Sequence, residues 1–161
     1  MTSSSVGILM YRLTGGRGEV LLVHPGGPFW QHKEFGAWSI PKGEPQPGEA
    51  AEDTARREFL EELGTMPEGV LIPLGRVRQR AGKVVEAFAL EGDFDTETMR
   101  CSSEVEIEWP RGSGRRWQFP EIDRAGWFTL ADARLRILET QCELLELLEE
   151  ELIDKHPSTA P

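Results

Sequence analysis

The sequence predicts an α/β fold: strands before and after one central helix, then a second helix near the C-terminal end. Three features carry this. Short apolar runs, such as residues 20–23, and the strict alternation of apolar and acidic side chains over residues 104–109 read as strands. Residues 43–65 pass from turn formers (Pro45, Pro47, Gly48) into a run of strong helix formers that stops at Gly64, the usual order of loop, helix and C-terminal cap. From residue 131 to about 153, Leu138, Cys142, Leu145, Leu148 and Leu152 recur every three or four residues and form one apolar helix face.

Taken in order, residues 5–13 are a short apolar strand, Gly15, Gly16 and Gly18 mark a turn, and residues 20–23 return as the second strand of a hairpin. Residues 24–30 (His-Pro-Gly-Gly-Pro-Phe-Trp) form a loop and residues 31–36 a polar linker. Residues 37–40 are predicted as a short strand, and Pro41, Lys42 and Gly43 lead into the central helix. After that helix, residues 70–80 and 83–91 are strands split by Ala81 and Gly82. Residues 93–103 are an irregular acidic linker, residues 110–116 a turn, 117–119 a return strand and 126–130 the last strand. A break near Glu139 and Thr140 interrupts the C-terminal helix, whose outer face carries Glu143, Glu146, Glu149, Glu150 and Glu151.

With 161 residues, 39% apolar and 29% charged, the chain has the size and composition of one globular domain, placed at residues 1–155 and followed by a flexible tail at 156–161. A formal charge of −10 disfavours binding to nucleic-acid polymers, which relies on Lys and Arg. It does not exclude a nucleotide, because bound cations reverse the local field. Two cysteines, Cys101 and Cys142, are too few for a disulfide framework, so a cytoplasmic location is expected. No signal peptide and no membrane-spanning run are recognisable. Nothing in the sequence speaks to the oligomeric state.

A helix turns about 100° per residue. Glu58 and Glu62 therefore lie one turn apart on one face with Glu61 beside them, while Phe59 and Leu63 point away towards a core, with Ala55 and Leu60 at its margins. Three carboxylates on one stripe repel each other and cost helix stability unless a cation is present. Mg²⁺ prefers oxygen ligands and keeps waters and substrate phosphates in its shell. The stripe makes chemical sense as a platform for such an ion, with a solvated acidic face as the plain alternative.

Residues 43–65 resemble the Nudix box: Gly, five residues, Glu, seven residues, Arg-Glu-apolar-x-Glu-Glu-x-Gly-apolar. Gly43, Glu49, Arg57, Glu58, Phe59, Glu61, Glu62 and Gly64 match in register, and only Thr65 departs, where the pattern has an aliphatic residue. Seven fixed residues at about 6% usage each give a chance match on the order of 10⁻⁹ per start position. The order of elements over roughly residues 4–152 resembles the Nudix fold, an α/β/α sandwich around a mixed β-sheet. The resemblance implies a hydrolase acting on a nucleoside diphosphate linked to some group X, dependent on Mg²⁺ or Mn²⁺.

By that resemblance Glu58 and Glu62 are metal ligands, and Glu61 is a third ligand or holds a water on the ion. Glu49 can reach the same ions from the loop, and Gly43 lets the backbone approach them. Arg57 is expected to orient the carboxylates through a bidentate pair. Lys42 either touches a phosphate or is a surface lysine. Outside the box, Glu121 is the candidate general base or further ligand, with Glu104, Glu106 and Glu108 as rivals. Arg111, Arg115 and Arg116 either grip a distal phosphate or form a solvated turn. Trp30 and Phe29 either stack on a base or fill the core edge. His24 reads as structural. The spacing from Glu121 to Trp127, and the run Trp38, Pro41, Lys42, Gly43, resemble the Nudix enzymes that cleave diadenosine tetraphosphate asymmetrically. The expected substrate is therefore a small nucleotide, with a dinucleoside polyphosphate favoured. Nucleoside triphosphates, ADP-ribose and other nucleotide sugars are the alternatives within the enzyme class. A non-catalytic nucleotide sensor is the alternative outside it.

Overall fold

The strand β1 (Ser4–Thr14) organises the molecule. Its residues 6–11 are buried, as a continuous apolar run is when both faces of a sheet are covered. The structure, a computed structural model, describes residues 4–155, so the expected tail at 156–161 lies outside the described residues. β1 and β2 (Arg17–Pro25) form an antiparallel hairpin with Tyr11 opposite Val20 and Thr14 opposite Arg17. The connecting Gly15 and Gly16 have φ of 59° and 80°, the left-handed pair that a two-residue hairpin turn requires and that glycine adopts without steric cost.

On its other edge β1 runs parallel to β5 (Val84–Glu91) over the register Ser4–Val84 to Tyr11–Glu91. β4 (Ile72–Arg78) adds to β5 and β8 (Ile122–Thr129) adds to β2, both antiparallel. The strand order is β4-β5-β1-β2-β8, and the two-residue β3 (Lys42–Gly43) pairs with Val6 and Gly7 of β1. β6 (Glu104–Glu108) and β7 (Arg116–Pro120) form a separate hairpin.

Period-two alternation divides the core between the two faces of this mixed sheet. Val6, Ile8, Met10, Leu21, Val23, Phe88 and Leu90 face α1 (Ala51–Leu63) and bury its Ala55, Phe59 and Leu63. Leu9, Tyr11, Val20, Leu22, Val85, Ala87 and Ala89 face α2 (Leu130–Arg136) and α3 (Cys142–Lys155), against Ala133, Leu144, Leu145 and Leu148. The chain is thus an α/β/α sandwich. α1 ends where Gly64 takes φ 87° and its N–H bonds to the Leu60 carbonyl at 2.8 Å. Among the described residues no helix is long and apolar enough to cross a membrane.

Three local expectations need correction. Residues 37–40 are not a strand: Ser39 and Trp38 make only single bridges, to Val23 and Ile137. Ala37, Trp38 and Ile40 are all buried, because this segment enters the gap between β1 and β2 inside the sheet instead of forming a strand of its own. The apolar stripe of the last helix does not begin at Leu138, which lies in the break between α2 and α3. There the buried Gln141 side chain bonds to the Ile40 N–H (3.1 Å) and Ser39 Oγ (3.0 Å), tying the break to the threaded segment. On α1, Ala55 belongs to the core, whereas Leu60 is 37% exposed.

Candidate functional site

β1 and β2 pair only from Tyr11 and Val20 onward. Below that point they part, and residues 39–43 fill the gap. Ser39 and Val23 exchange backbone bonds of 3.0 and 2.8 Å, the Ile8 N–H reaches the Pro41 carbonyl at 3.2 Å, and β3 lies against Val6 and Gly7. Two glycines make the room. A Cβ on Gly7 would lie 2.4 Å from the Pro41 oxygen, and one on Gly43 would lie 1.9 Å from the Glu58 carboxyl carbon. The Glu58 carboxylate therefore rests directly on the Gly43 backbone.

Arg57 organises the acids around it. Its Nε and Nη2 hold Glu49 in a bidentate pair at 2.8 and 2.9 Å, and Nη1 reaches Glu58 at 2.9 Å and Glu61 at 3.1 Å. Nη2 also bonds to the Glu44 carbonyl at 3.0 Å. Both Glu49 oxygens are engaged, since Oε1 also accepts from the Gln46 N–H and the Thr54 hydroxyl. The Arg57 bonds hold its carboxyl down at about 2. In this arrangement Glu49 braces the junction of loop and helix. Arg57 is held in its charged form by Glu49 and then by Glu61.

Glu58 and Glu62 are 9% and 2% exposed. Burial, and then the neighbouring Glu61, push the Glu58 carboxyl up against the opposing pull of Arg57. Glu62 is pushed well above the usual carboxylate range by burial and then by Glu121, with Lys42 opposing. Its Oε1 has no hydrogen-bond partner among the described residues. Two buried carboxylates, one with an orphaned oxygen, are a donor set that suits a hard dication. As the side chains stand, no three His, Cys, Asp or Glu among the described residues converge tightly enough to hold an ion by themselves. Arg57 draws Glu49, Glu58 and Glu61 to itself, which leaves Glu62 as the open donor.

Lys42, Glu62, Glu121 and Trp30 line one cavity of about 170 Å³. Glu121 is the single residue between β7 and β8, fastened by its carbonyl to the Gly26 N–H and by its N–H to the Ser103 carbonyl, both 2.9 Å. Its rivals Glu104, Glu106 and Glu108 lie on the polar face of the β6–β7 hairpin, where Glu104 accepts from Gln118 and Glu106 pairs with Arg116. Arg115 and Arg116 stand at the turn end of that hairpin. Arg116 is four strand residues from Pro120, roughly 13 Å along the strand, and neither lines the cavity. Trp30 is half-buried, packed on the core edge and against Phe29 at 5.0 Å, with part of its ring still facing the cavity.

His24 is fully buried and links Asp123 (Nδ1, 2.8 Å) to the Lys33 carbonyl (Nε2, 2.6 Å), which pins the loop before β3. Besides Lys42, which lines the cavity itself, three further cations close by were not singled out from the sequence. Lys33, Arg80 and Lys83 line an adjoining cleft. Only the flanking of the Ala81-Gly82 turn by two cations could have drawn attention to them.

The NUDIX domain family model matches residues 1–148. Among solved structures, the NUDIX domain of Shewanella oneidensis NrtR complexed with ADP ribose is similar with a TM-score of 0.67 at 19% identity, covering 94% of this chain and 89% of that one. A Caenorhabditis elegans Ap4A hydrolase binary complex gives 0.64 at 22%, covering 93% and 98%. A mutT/nudix family protein from Listeria innocua gives 0.62 at 18%, covering 95% of each chain. At these identities the likeness is one of fold, and the box residues described above lie within the matched span. The chain belongs to the NUDIX domain family.

Proposed function

We propose that this protein is a divalent-cation-dependent pyrophosphohydrolase that cleaves within the phosphate chain of a nucleoside diphosphate linked to X. The observation that carries the reading is Glu62: a buried carboxylate with an orphaned oxygen, beside Glu58 on the helix and across a small cavity from Lys42 and Glu121. Leaving such an acceptor unpaired costs about 1–3 kcal/mol, a cost that a cation bound with the substrate removes.

Glu58 and Glu62 would hold Mg²⁺ or Mn²⁺, with Glu61 as a third donor. When bound, the ion neutralises phosphate charge and makes water a better nucleophile at neutral pH. Arg57 orients Glu58 and Glu61 and does not contact substrate. Lys42 offers its ammonium to a phosphate oxygen. Glu121 takes a proton from the attacking water as the new P–O bond forms and the bridging P–O bond breaks, which leaves two phosphate-terminated products.

Within this class we favour a dinucleoside polyphosphate as substrate, acting in the reducing cytoplasm that two free cysteines suit. The spacing from Glu121 to Trp127 supports this, as does the fold likeness to a protein described as an Ap4A hydrolase. ADP-ribose is the second reading, favoured by the likeness to a NUDIX domain complexed with it. A structure of Shewanella oneidensis NrtR complexed with a 27mer DNA is also similar, this chain covering 62% of that one. A silent sensor role here is disfavoured by the intact set of box carboxylates, and polymer binding by the charge of −10. The test is a panel of diadenosine polyphosphates, nucleoside triphosphates and nucleotide sugars with Mg²⁺, products resolved by chromatography. Hydrolysis that persists undiminished in excess EDTA, or no turnover of any member, would overturn the reading.

A further inference from the structure

Trp30 and Leu138 line the Glu62 cavity on one side and, on the other, a larger cleft of about 840 Å³. Nucleotide-sized ligands occupy pockets of roughly 300–1,000 Å³. The cleft reverses the charge of the protein. The whole chain has 28 acidic and 18 basic residues, yet here Lys33, Arg80 and Lys83 face a single carboxylate, Glu139.

Among the described residues none of these three cations forms an ion pair, whereas Arg12, Arg57, Arg76, Arg116, Arg124, Arg134 and Arg136 each hold a carboxylate. In a chain so rich in acids, three unpaired cations gathered in one concavity point to an anion from outside.

The Lys33 side chain and the backbone that carries Arg80 and Lys83 are also held in place. The Lys33 ammonium lies 4.2 Å over the Phe29 ring and 5.1 Å over Trp30, and its carbonyl is fixed by buried His24. Arg80 and Lys83 flank a turn closed by the Gln79 N–H on the Lys83 carbonyl at 2.6 Å. Within it Ala81 takes φ 63°, a left-handed conformation uncommon for a residue with a side chain. The Gln79 amide reaches the Thr140 hydroxyl at 3.3 Å and so ties the turn to the α2–α3 break. Trp30 and Phe35 add aromatic faces to the wall.

We propose that this cleft takes the part of the substrate beyond the scissile pyrophosphate. The distal phosphates lie on Lys33, Arg80 and Lys83, and the far base stacks on Trp30 or Phe35. The substrate class is then a nucleotide whose phosphate chain spans from Glu62 to this trio, ahead of diphosphate-linked sugars. The proposal rests on the reading of the Glu62 cavity as the hydrolytic site.

The test is the double variant Arg80→Ala/Lys83→Ala. The ratio of kcat/KM for diadenosine tetraphosphate to that for ADP-ribose should fall at least about tenfold, and the exchanged pair Arg80→Lys/Lys83→Arg should restore most of it. A charge-matched control, Arg17→Ala/Arg76→Ala, should leave the ratio in place. An unchanged ratio in the first variant, or an equal fall in the control, overturns the cleft. A second arm needs no turnover: calorimetric binding of inorganic tripolyphosphate in EDTA should weaken at least about tenfold in the double variant. If wild type hydrolyses nothing but the binding arm shows that loss, the proposed reaction fails and the cleft stands only as a polyphosphate-binding site. If hydrolysis is found and tripolyphosphate binding is unmoved, the cleft fails alone.

Discussion

Replacing Glu62 by Gln should stabilise the metal-free protein while removing most of its activity. The Glu62 carboxyl is 2% exposed, one oxygen has no partner, and burial and Glu121 both oppose its charge. An unpaired buried acceptor costs about 1–3 kcal/mol, more when charged. The amide keeps the shape, removes the charge and adds a donor. In EDTA near neutral pH the variant should therefore be more stable by about 1–3 kcal/mol. For a domain of this size each kcal/mol moves Tm by about 2–4 °C, so the shift should be roughly 2–12 °C upward. Mg²⁺ should reverse the order. At 100 times its dissociation constant a ligand adds about 2.7 kcal/mol to the state that binds it, and wild type alone should gain that fully. Scanning calorimetry of both proteins in EDTA and in Mg²⁺, with kcat alongside, reads all of this. A variant that melts below wild type in EDTA, or gains as much from Mg²⁺, would show that Glu62 is not a strained metal ligand.

Further outcomes follow from the same geometry. Gly43→Ala should displace the Glu58 carboxylate, because the new Cβ would meet it at about 2 Å; Mg²⁺ affinity and kcat should fall at least about tenfold with little change in Tm, and titration with Mg²⁺ at wild-type affinity would refute this. Arg57→Ala frees three carboxylates and should lower kcat with less effect on KM, and Arg57→Lys should not rescue it, since an ammonium cannot make the bidentate pair with Glu49; a rise in KM alone would assign Arg57 to substrate. Glu121→Gln should lower kcat at least tenfold, about 1.4 kcal/mol of barrier, whereas Glu106→Gln, on the separate hairpin, should change little; the reverse pattern would move the acid to β6. Glu34 is held below its ordinary value of 4.5 by Arg124 and then Arg136, so its contribution is present above that value and is lost as pH falls through the lower folded one; Glu34→Gln should cost under about 1 kcal/mol at neutral pH, given its exposure, and melts of the two proteins should converge as the pH is lowered past that folded value.

The division between what was legible in the sequence and what was not follows the range of the interactions. Within α1 the helical repeat alone places Glu58, Glu61 and Glu62 around one side and Phe59 and Leu63 on the other, so the acid stripe and its core face could be read locally. The burial of Glu62 could not. It depends on residues 39–43 lying between β1 and β2, with Gly43 beside Val6, thirty-seven residues earlier, and Ser39 beside Val23. The same non-local fact dissolved the expected strand at residues 37–40. Basic residues show the limit most clearly. Arg111, Arg115 and Arg116 attracted attention because they cluster in sequence, yet a hairpin turn holds Arg115 and Arg116 away from the Glu62 cavity. Lys33, Arg80 and Lys83 are separated by up to fifty residues and meet only through two devices: the buried His24 that holds the Lys33 carbonyl, and the tight turn across Ala81. His24 could be read as structural, but its partner Asp123 is ninety-nine residues away. Its consequence is that one buried imidazole sets the course of the loop carrying both Trp30 and Lys33, and so couples the wall shared by cavity and cleft to the packing beneath β8.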